Sequence, residues 1–193
     1  QALHLIAKIQ PGETVLIHAG ASGVGTAAIQ LVKLAGAHPI ATASGRKHQP
    51  LLDLGAERCI DYRTEDFAEA ALDHTNGKGV NVILDFIGGP YLDKNFKALA
   101  MEGRMVSLGA LGGARVEGIS MAPILRKRLQ LTGTTLRSRS IAYKHELVAA
   151  FREQIWPAFA DRSVRALVDT IYDWEGVADA HKYMEATANA GQI

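Results

Sequence analysis

The chain has 193 residues, of which 48% are hydrophobic, 21% charged and 6% aromatic. This length and apolar content are typical of one globular domain with a buried core, and they exclude an intrinsically disordered chain. The 21 basic residues nearly balance the 20 acidic ones, so the net charge of +1 gives no reason to expect nucleic acid or an acidic membrane as the main partner.

From residue 14 onward, short apolar runs alternate with segments of helical periodicity. The predicted strands are residues 14–19, 38–43, 58–62, 80–86, 104–108 and 129–136. The predicted helices are residues 28–35, 49–54, 65–74, 92–100, 122–128, 142–159 and 177–188, with a weaker strand near 168–172. The pattern predicts an α/β fold, namely a Rossmann doubly wound parallel sheet of about six strands in the order 3-2-1-4-5-6, with helices on both faces.

A glycine-rich turn from Gly20 to Gly25 follows the first predicted strand and precedes a predicted helix. Ser22 stands where the dinucleotide-binding pattern G-x-G-x-x-G has its second glycine. Small residues let the backbone approach a pyrophosphate, and the N–H groups at the helix start attract it. The turn is therefore a candidate phosphate site, with a tight turn that binds no ligand as the alternative.

The end of the second predicted strand indicates the form of the cofactor. NAD sites usually carry an acid about 20 residues after the glycines, where it holds the ribose 2′-hydroxyl. Here no acid occurs before Asp53, whereas Ser44, Arg46 and Lys47 offer donors for a 2′-phosphate. The segment favours NADPH, with a solvated basic turn as the alternative.

The sequence limits the metal and membrane chemistry that we expect. Cys59 is the single cysteine, and the seven histidines show no metal-ligand spacing with it, so we expect no metal site. No apolar run reaches the ~20 residues of a membrane helix, and no signal peptide is visible. We therefore expect a cytoplasmic protein without a membrane partner.

Four groups of residues carry a resemblance to a known family. They are the run from Val15 to Leu31, the triplet Asp61-Tyr62-Arg63, the turn from Asp85 to Gly89, and the segment from Leu136 to Arg139. In this order and spacing, they resemble the zinc-free quinone oxidoreductase (zeta-crystallin-like) branch of the medium-chain dehydrogenase/reductase superfamily, closest to the p53-inducible type. The resemblance implies an enzyme that transfers a hydride from NADPH to a quinone or another activated carbonyl or enone.

The resemblance also implies residue roles around the cofactor. The pyrophosphate loop would be Ser22, Gly23, Val24 and Gly25; the 2′-phosphate segment Ser44, Arg46 and Lys47, beside Tyr62; and the nicotinamide side Ile87, Gly88, Gly109, Ala110, Leu111 and Gly112. Which of Arg46 and Lys47 contacts the 2′-phosphate stays open. The catalytic residues are unknown.

In this family a catalytic domain precedes the cofactor domain. The chain begins with Gln1 inside an apolar, near-helical stretch, so we interpret it as a segment of a longer protein. Residues 1–10 would end a helix of that domain, 11–160 would form the NADP-binding Rossmann domain, and 161–193 would lead back. The resemblance further implies a zinc-independent enzyme, a segment that is inactive alone, and a homodimer through the sixth strand.

Two other functions remain open at the sequence level. One is an enoyl (double-bond) reductase of the same superfamily. The other is a non-catalytic nucleotide- or RNA-binding module, suggested by the basic run Arg126-Lys127-Arg128. Nucleic acid is disfavoured, because the charge is near neutral and no aromatic residues are interleaved with the basic ones.

Overall fold

Six strands build one parallel sheet in the computed structural model, which describes residues 1–193. They are β1 (Thr14–Ile17), β2 (His38–Ala43), β3 (Arg58–Asp61), β4 (Val80–Asp85), β5 (Leu99–Ser107) and β6 (Gln130–Gly133). Their order is β3-β2-β1-β4-β5-β6, and every neighbouring pair runs parallel. The predicted Rossmann architecture and strand order are confirmed.

Eight α-helices connect and follow the strands. They are α1 (Gly23–Leu34), α2 (His48–Asp53), α3 (Phe67–His74), α4 (Leu92–Ala98), α5 (Ala122–Lys127), α6 (Ile141–Gln154), α7 (Pro157–Ala160) and α8 (Val177–Glu185). Single turns of other helical types lie at Ala2–Ala7, Gly45–Lys47, Gly89–Tyr91 and Trp174–Gly176. None of the helices combines the length and the apolar character needed to span a bilayer.

The centre of the sheet is buried on both faces. Val15 and Ile17 of β1 belong to one apolar cluster and Leu16 to the other, and all three are 0% exposed. Ile29 of α1 covers the first face and Phe96 of α4 the second. Each such side chain contributes about 1.5–3 kcal/mol through burial. The central strands are therefore held firmly, and so are the positions of the loops that leave their ends.

The sheet has a topological switch point at β1, whose neighbours are β2 on one side and β4 on the other. The chain adds β2 and β3 on one side and then crosses to add β4, β5 and β6 on the other. The loops after β1 and β4 therefore leave the sheet on opposite faces, which opens a crevice at the carboxyl ends of the strands.

The helix predicted over residues 142–159 is wrong as one element. The structure ends α6 at Gln154, and α7 begins at Pro157. Proline has no N–H to donate to the preceding turn and is favoured at the first position of a new helix. The amides of Ile155 and Trp156 both donate to the carbonyl of Phe151, which closes α6 just before the proline.

Three strand predictions also need correction. β5 begins at Leu99, which the prediction placed within a helix, because the chain bulges between the pairs Val80–Leu99 and Val82–Arg104. β6 is shorter than the predicted 129–136, and the segment near 168–172 makes a single bridge between Val168 and Gln192. Pairing to a neighbour decides these boundaries, and local sequence does not encode it.

Candidate cofactor-binding site

The glycine turn after β1 presents the start of α1 to the crevice. Ser22 is the N-cap, and its Oγ accepts a hydrogen bond from the N–H of Gly25 at 3.0 Å. The N–H groups of Gly23 and Val24 have no partner in the chain. Free N–H groups at the positive end of a helix dipole form a ready site for an anion.

Steric contacts explain the glycines of this turn. A Cβ at Gly25 would lie 2.5 Å from the carbonyl oxygen of Ala19, and one at Gly20 would lie 2.7 Å from Cβ of Ala41. A Cβ at Gly23 would overlap the side-chain amide of Gln192. These positions accept no larger residue without movement of the backbone or, at Gly23, of Gln192, so the turn stays narrow.

The residues predicted for the 2′-phosphate lie where β2 ends. Ser44 is buried and precedes the single turn Gly45–Lys47. The guanidinium of Arg46 donates to the carbonyl of Thr187 at 2.9 Å. Burial lowers the pKa of Lys47, and the neighbouring Arg46 lowers it further, because both disfavour a charged ammonium.

A third cation, Arg63, joins this group and was not among the predicted site residues. Its charge also lowers the pKa of Lys47. The carboxylate of Asp61 connects the two loops, since it accepts hydrogen bonds from the N–H of Gly45 at 2.8 Å and from the N–H of Arg63 at 3.0 Å. The sequence did contain a signal, because Arg63 directly follows the end of a predicted strand.

Tyr62 also lies at the end of β3, and its side chain is partly exposed. The guanidinium of Arg63 lies 5.8 Å from the centre of the Tyr62 ring, within the range of a cation–π contact. The ring therefore flanks the basic group formed by Arg46, Lys47 and Arg63.

The turn after β4 is organised by Asp85, which is 1% exposed. Its carboxylate accepts hydrogen bonds from the N–H of Ile87 at 3.2 Å and of Gly88 at 3.0 Å. Burial raises the pKa of Asp85, while these hydrogen bonds and one from Asn95 oppose the rise. Gly88 has φ +86°, a conformation that side chains other than glycine rarely adopt.

The predicted loops after β4 and β5 are brought together by backbone hydrogen bonds. The N–H of Leu111 donates to the carbonyl of Phe86, and that of Gly112 to the carbonyl of Ile87, both at 2.9 Å. The Leu111 side chain itself is 82% exposed. A cleft of about 600 Å³ begins at Gly109 and Ala110 and continues past the end of β6; it is lined by Ser107, Leu108, Gly109, Ala110, Gly133, Thr134, Thr135, Ser138 and Arg139.

The predicted residues thus form three groups at the carboxyl ends of the strands. The glycine turn follows the central strand β1, the basic group follows β2 and β3, and the paired loops follow β4 and β5. An elongated ligand with phosphates at its centre matches this arrangement.

The C-terminal segment forms a further wall that sequence reasoning missed. The N–H of Gly191 donates to the carbonyl of Ala21 at 2.8 Å, and Gln192 lies against Gly23. Asp169 accepts a hydrogen bond from the N–H of Ala190 at 3.0 Å, and its negative charge acts on Lys47. These residues are far from the glycine turn in sequence, and no local pattern marks them.

The chain brings no three His, Cys, Asp or Glu side chains together in a way that could hold a metal ion. Burial raises the pKa of the Cys59 thiol to about 11, so this cysteine stays protonated near neutral pH. The side chains of this chain therefore supply no metal-ligand set.

Comparison with known sequences gives one family and two informative relatives. A family model described as zinc-binding dehydrogenase matches residues 23–153. A lovastatin diketide synthase of Aspergillus terreus is 33% identical over 198 residues, covering 100% of this chain and 8% of the synthase. A probable quinone oxidoreductase of Schizosaccharomyces pombe is 29% identical over 186 residues, covering 96% of this chain and 55% of that protein. The chain thus spans a small part of the first relative and about half of the second.

Solved structures that are similar to this chain include an enoyl reductase and a quinone oxidoreductase. The CurK enoyl reductase has a TM-score of 0.81 and 32% identity, with 98% of this chain and 56% of that one covered. A quinone oxidoreductase of Pseudomonas syringae pv. Tomato has a TM-score of 0.82 and 28% identity, with 99% and 59% covered. A mycobacterial protein complexed with NADPH has a TM-score of 0.81 and 25% identity, with 97% and 58% covered.

Proposed function

The chain belongs to the zinc-binding dehydrogenase family, within the medium-chain dehydrogenase/reductase superfamily, and from that premise we propose that it is the NADPH-binding domain of a quinone oxidoreductase of the zeta-crystallin-like branch. The reaction proposed is hydride transfer from NADPH to a quinone or another activated carbonyl or enone. The family relationship and the NADPH found in the mycobacterial neighbour support this proposal. The quinone oxidoreductases among the relatives support the choice of acceptor.

The basic segment after β2, which contains no acid before Asp53, carries the choice of NADPH over NADH. A free carboxylate in this segment would repel a 2′-phosphate, whereas Ser44 and the cations around it would bind one. The nearby carboxylate of Asp61 already accepts hydrogen bonds from the N–H groups of Gly45 and Arg63. Lys47 is the favoured phosphate contact, because the guanidinium of Arg46 is already hydrogen-bonded to Thr187. Arg46 would then hold the C-terminal segment in place.

The residues of the chain would bind and orient the cofactor, which supplies the hydride from its nicotinamide ring. The free N–H groups of Gly23 and Val24 would bind the pyrophosphate. The hydrogen-bonded loops after β4 and β5 would shield the nicotinamide side from water. A zinc ion does not fit the residues of this chain, and no step of the proposal uses one.

Calorimetric titration of the chain with NADPH and with NADH tests the cofactor proposal. We expect NADPH to bind at least about tenfold more tightly, a difference of about 1.4 kcal/mol. Lys47→Gln should remove most of this preference, whereas Arg152→Gln, an exposed change on α6, should keep it. Equal affinities would contradict the 2′-phosphate site, and the absence of binding to either cofactor would contradict the cofactor-binding function itself.

An enoyl reductase is the second candidate, favoured by the CurK enoyl reductase, whose likeness covers 98% of this chain. Both candidates use the same cofactor site and differ in the acceptor. The test is NADPH oxidation by a protein that carries this chain, with a quinone and with a 2-enoyl thioester as alternative acceptors. Faster turnover of the thioester would replace the quinone proposal.

A further inference from the structure

A buried chain of polar side chains runs beneath the crevice. Nδ1 of His18 lies 3.1 Å from Oγ1 of Thr42, and Nε2 of His18 lies 2.7 Å from Oδ1 of Asn95. His18 and Asn95 are both 0% exposed, and Thr42 is 2% exposed. His18 directly follows β1, Asn95 lies on α4 and Thr42 on β2, so the polar chain crosses the centre of the fold.

The donors and acceptors of this chain have one consistent assignment. The amide nitrogen of Asn95 donates to Sδ of Met105 at 3.5 Å and also acts on the carboxylate of Asp85, whose pKa it lowers. Its Oδ1 is left to accept from Nε2–H of His18. Nδ1 of His18 is then unprotonated and accepts from the hydroxyl of Thr42. The hydrogen bonds from Thr42 and His18 both run toward Asn95, which lies beside Asp85, and such ordered chains strengthen each member.

Aromatic rings fix the orientation of the central imidazole. The ring centre of His18 lies 4.7 Å from that of Phe67 and 4.9 Å from that of Tyr91, both edge to face. Rotation of the imidazole would break both contacts and both hydrogen bonds. His18 therefore behaves as a rigid spacer between Thr42 and Asn95.

The polar chain ends in the backbone of the candidate site. Asp85 accepts from the N–H groups of Ile87 and Gly88, and the carbonyl of Ile87 accepts from the loop after β5 at Gly112. A shift of Asp85 would therefore move both loops that the proposed function assigns to the nicotinamide side. Nothing in the polar chain touches the glycine turn through a side chain.

We propose that His18 and Asn95 are positioning residues, which hold Asp85 and through it the turn Ile87–Gly88 in the geometry that the nicotinamide half of the cofactor requires. This inference rests on the proposed function, since it needs a nicotinamide cofactor in the crevice. It assigns no catalytic role to either residue, because both are 0% exposed. We therefore expect substitutions of these residues to weaken the binding of the nicotinamide half of the cofactor and to leave the binding of the adenosine half unchanged.

Two ligands separate this role from a merely structural one. NADPH contains the nicotinamide, whereas 2′-phosphoadenosine diphosphate ribose has the same phosphates and adenosine without it. By calorimetry on the chain, Asn95→Leu and His18→Leu should weaken NADPH binding by about tenfold or more and leave the second ligand within about twofold. His18→Gln, which keeps a donor and an acceptor, should stay within about threefold of the unmodified chain for NADPH.

Gln30→Leu is the matched control, because Gln30 is also buried and its hydrogen bonds reach Arg165, outside the polar chain. Gln30→Leu should change the affinities for both ligands by the same factor or leave both unchanged. If Asn95→Leu does not fold, Thr42→Val is measured with the same two ligands. This variant removes only the hydroxyl that contacts Nδ1 of His18, and it should weaken the binding of NADPH alone.

Equal loss of both ligands in the Asn95 and His18 variants would overturn the inference and leave a structural role. Equal affinity of the unmodified chain for the two ligands would overturn it as well, because the nicotinamide would then not be held. If the unmodified chain binds neither ligand, the proposed function fails, which is a separate and recognisable result.

Discussion

Gly25 lies where α1 leaves the glycine turn, and its lack of a side chain lets the helix approach the backbone of Ala19 and Gly20. A Cβ at this position would meet their carbonyl oxygens at 2.5 and 2.6 Å. Gly25→Ala should therefore push α1 away, destabilise the chain by about 1–3 kcal/mol and weaken cofactor binding. Urea unfolding and NADPH titration measure the two effects.

Gly176→Ala is the control for this substitution, since a Cβ there would make only an ordinary contact with Tyr172 at 3.7 Å and Gly176 lies outside the candidate site. It should leave both stability and binding nearly unchanged. Unaltered binding in Gly25→Ala would show that the close approach of helix and turn is not needed for the ligand.

Arg63 contributes positive charge beside Lys47 without contacting the glycine turn. Arg63→Gln should weaken NADPH binding by about threefold to tenfold and leave NADH binding unchanged, because NADH has no 2′-phosphate. Parallel titrations at low and moderate salt measure both affinities. An equal loss of affinity for NADH would show that Arg63 does not bind the 2′-phosphate and that it stabilises the loop after β3 instead.

His18 makes stability depend on pH. Burial lowers the pKa of His18 from 6.5 to about 4, so the folded chain keeps the ring neutral. Between these values the unfolded chain binds a proton that the folded chain does not, so stability falls as pH falls from 6.5 toward 4, on the order of 3 kcal/mol in total. Urea unfolding across this pH range should show a free energy of unfolding that decreases as the pH falls.

His18→Gln should reduce that slope, whereas His145→Gln, on the exposed side of α6, should keep it. Identical slopes in the His18 variant and the unmodified chain would show that another group titrates. Asp85 acts in the opposite direction, because its raised pKa makes the folded chain bind protons more readily at low pH.

At the scale of elements, Lys127 joins α5 to the end of α4. Its Nζ donates to the carbonyl oxygens of Phe96 and Lys97 at 2.9 Å and of Leu99 at 2.6 Å. The basic run at the end of α5 therefore neutralises the carbonyl end of a neighbouring helix, in addition to any effect on its own helix dipole.

Lys127→Met should destabilise the chain by about 1–3 kcal/mol, because it leaves these carbonyls without their charged donor. Arg126→Met, an exposed change next to it, should cost less than about 0.5 kcal/mol. Urea unfolding of both variants measures the difference. Equal stabilities would mean that water replaces the ammonium at no cost.

At the scale of the whole molecule, β6 is an open edge of the sheet. All residues of Gln130–Gly133 are exposed, among them Leu131 at 40%, and Leu136 just after the strand is 46% exposed. An apolar open edge is a template for another strand. We propose that two copies of the chain pair through β6 to form a homodimer.

Light scattering at high concentration tests this dimer. The unmodified chain should have the mass of two copies, and Leu131→Lys should reduce it to one copy, because a charge on an edge strand opposes pairing. Leu52→Lys, on exposed α2 at the other side of the sheet, should leave the mass unchanged. A monomeric mass for the unmodified chain would contradict the proposal.

The sequence by itself determined the elements whose cause is local. The alternating strands and the glycine turn follow from periodicity and from side-chain size, which act over a few residues. The strand order also followed, because parallel strands with helical crossovers have few possible arrangements. The position of Ser44, Arg46 and Lys47 directly after a strand also followed from the sequence, and their contact with a 2′-phosphate stays a prediction.

Tertiary structure alone decided what depends on contacts between distant segments. The position of Gln192 against Gly23, the connection of the Gly45 and Arg63 loops through Asp61, and the placement of Asp169 near Lys47 leave no periodic trace in the sequence. The bulge in β5 and the limits of β6 likewise depend on the neighbouring strand. Such contacts form when the folded backbone brings remote residues together, and their free energy comes from packing and burial that no local segment possesses.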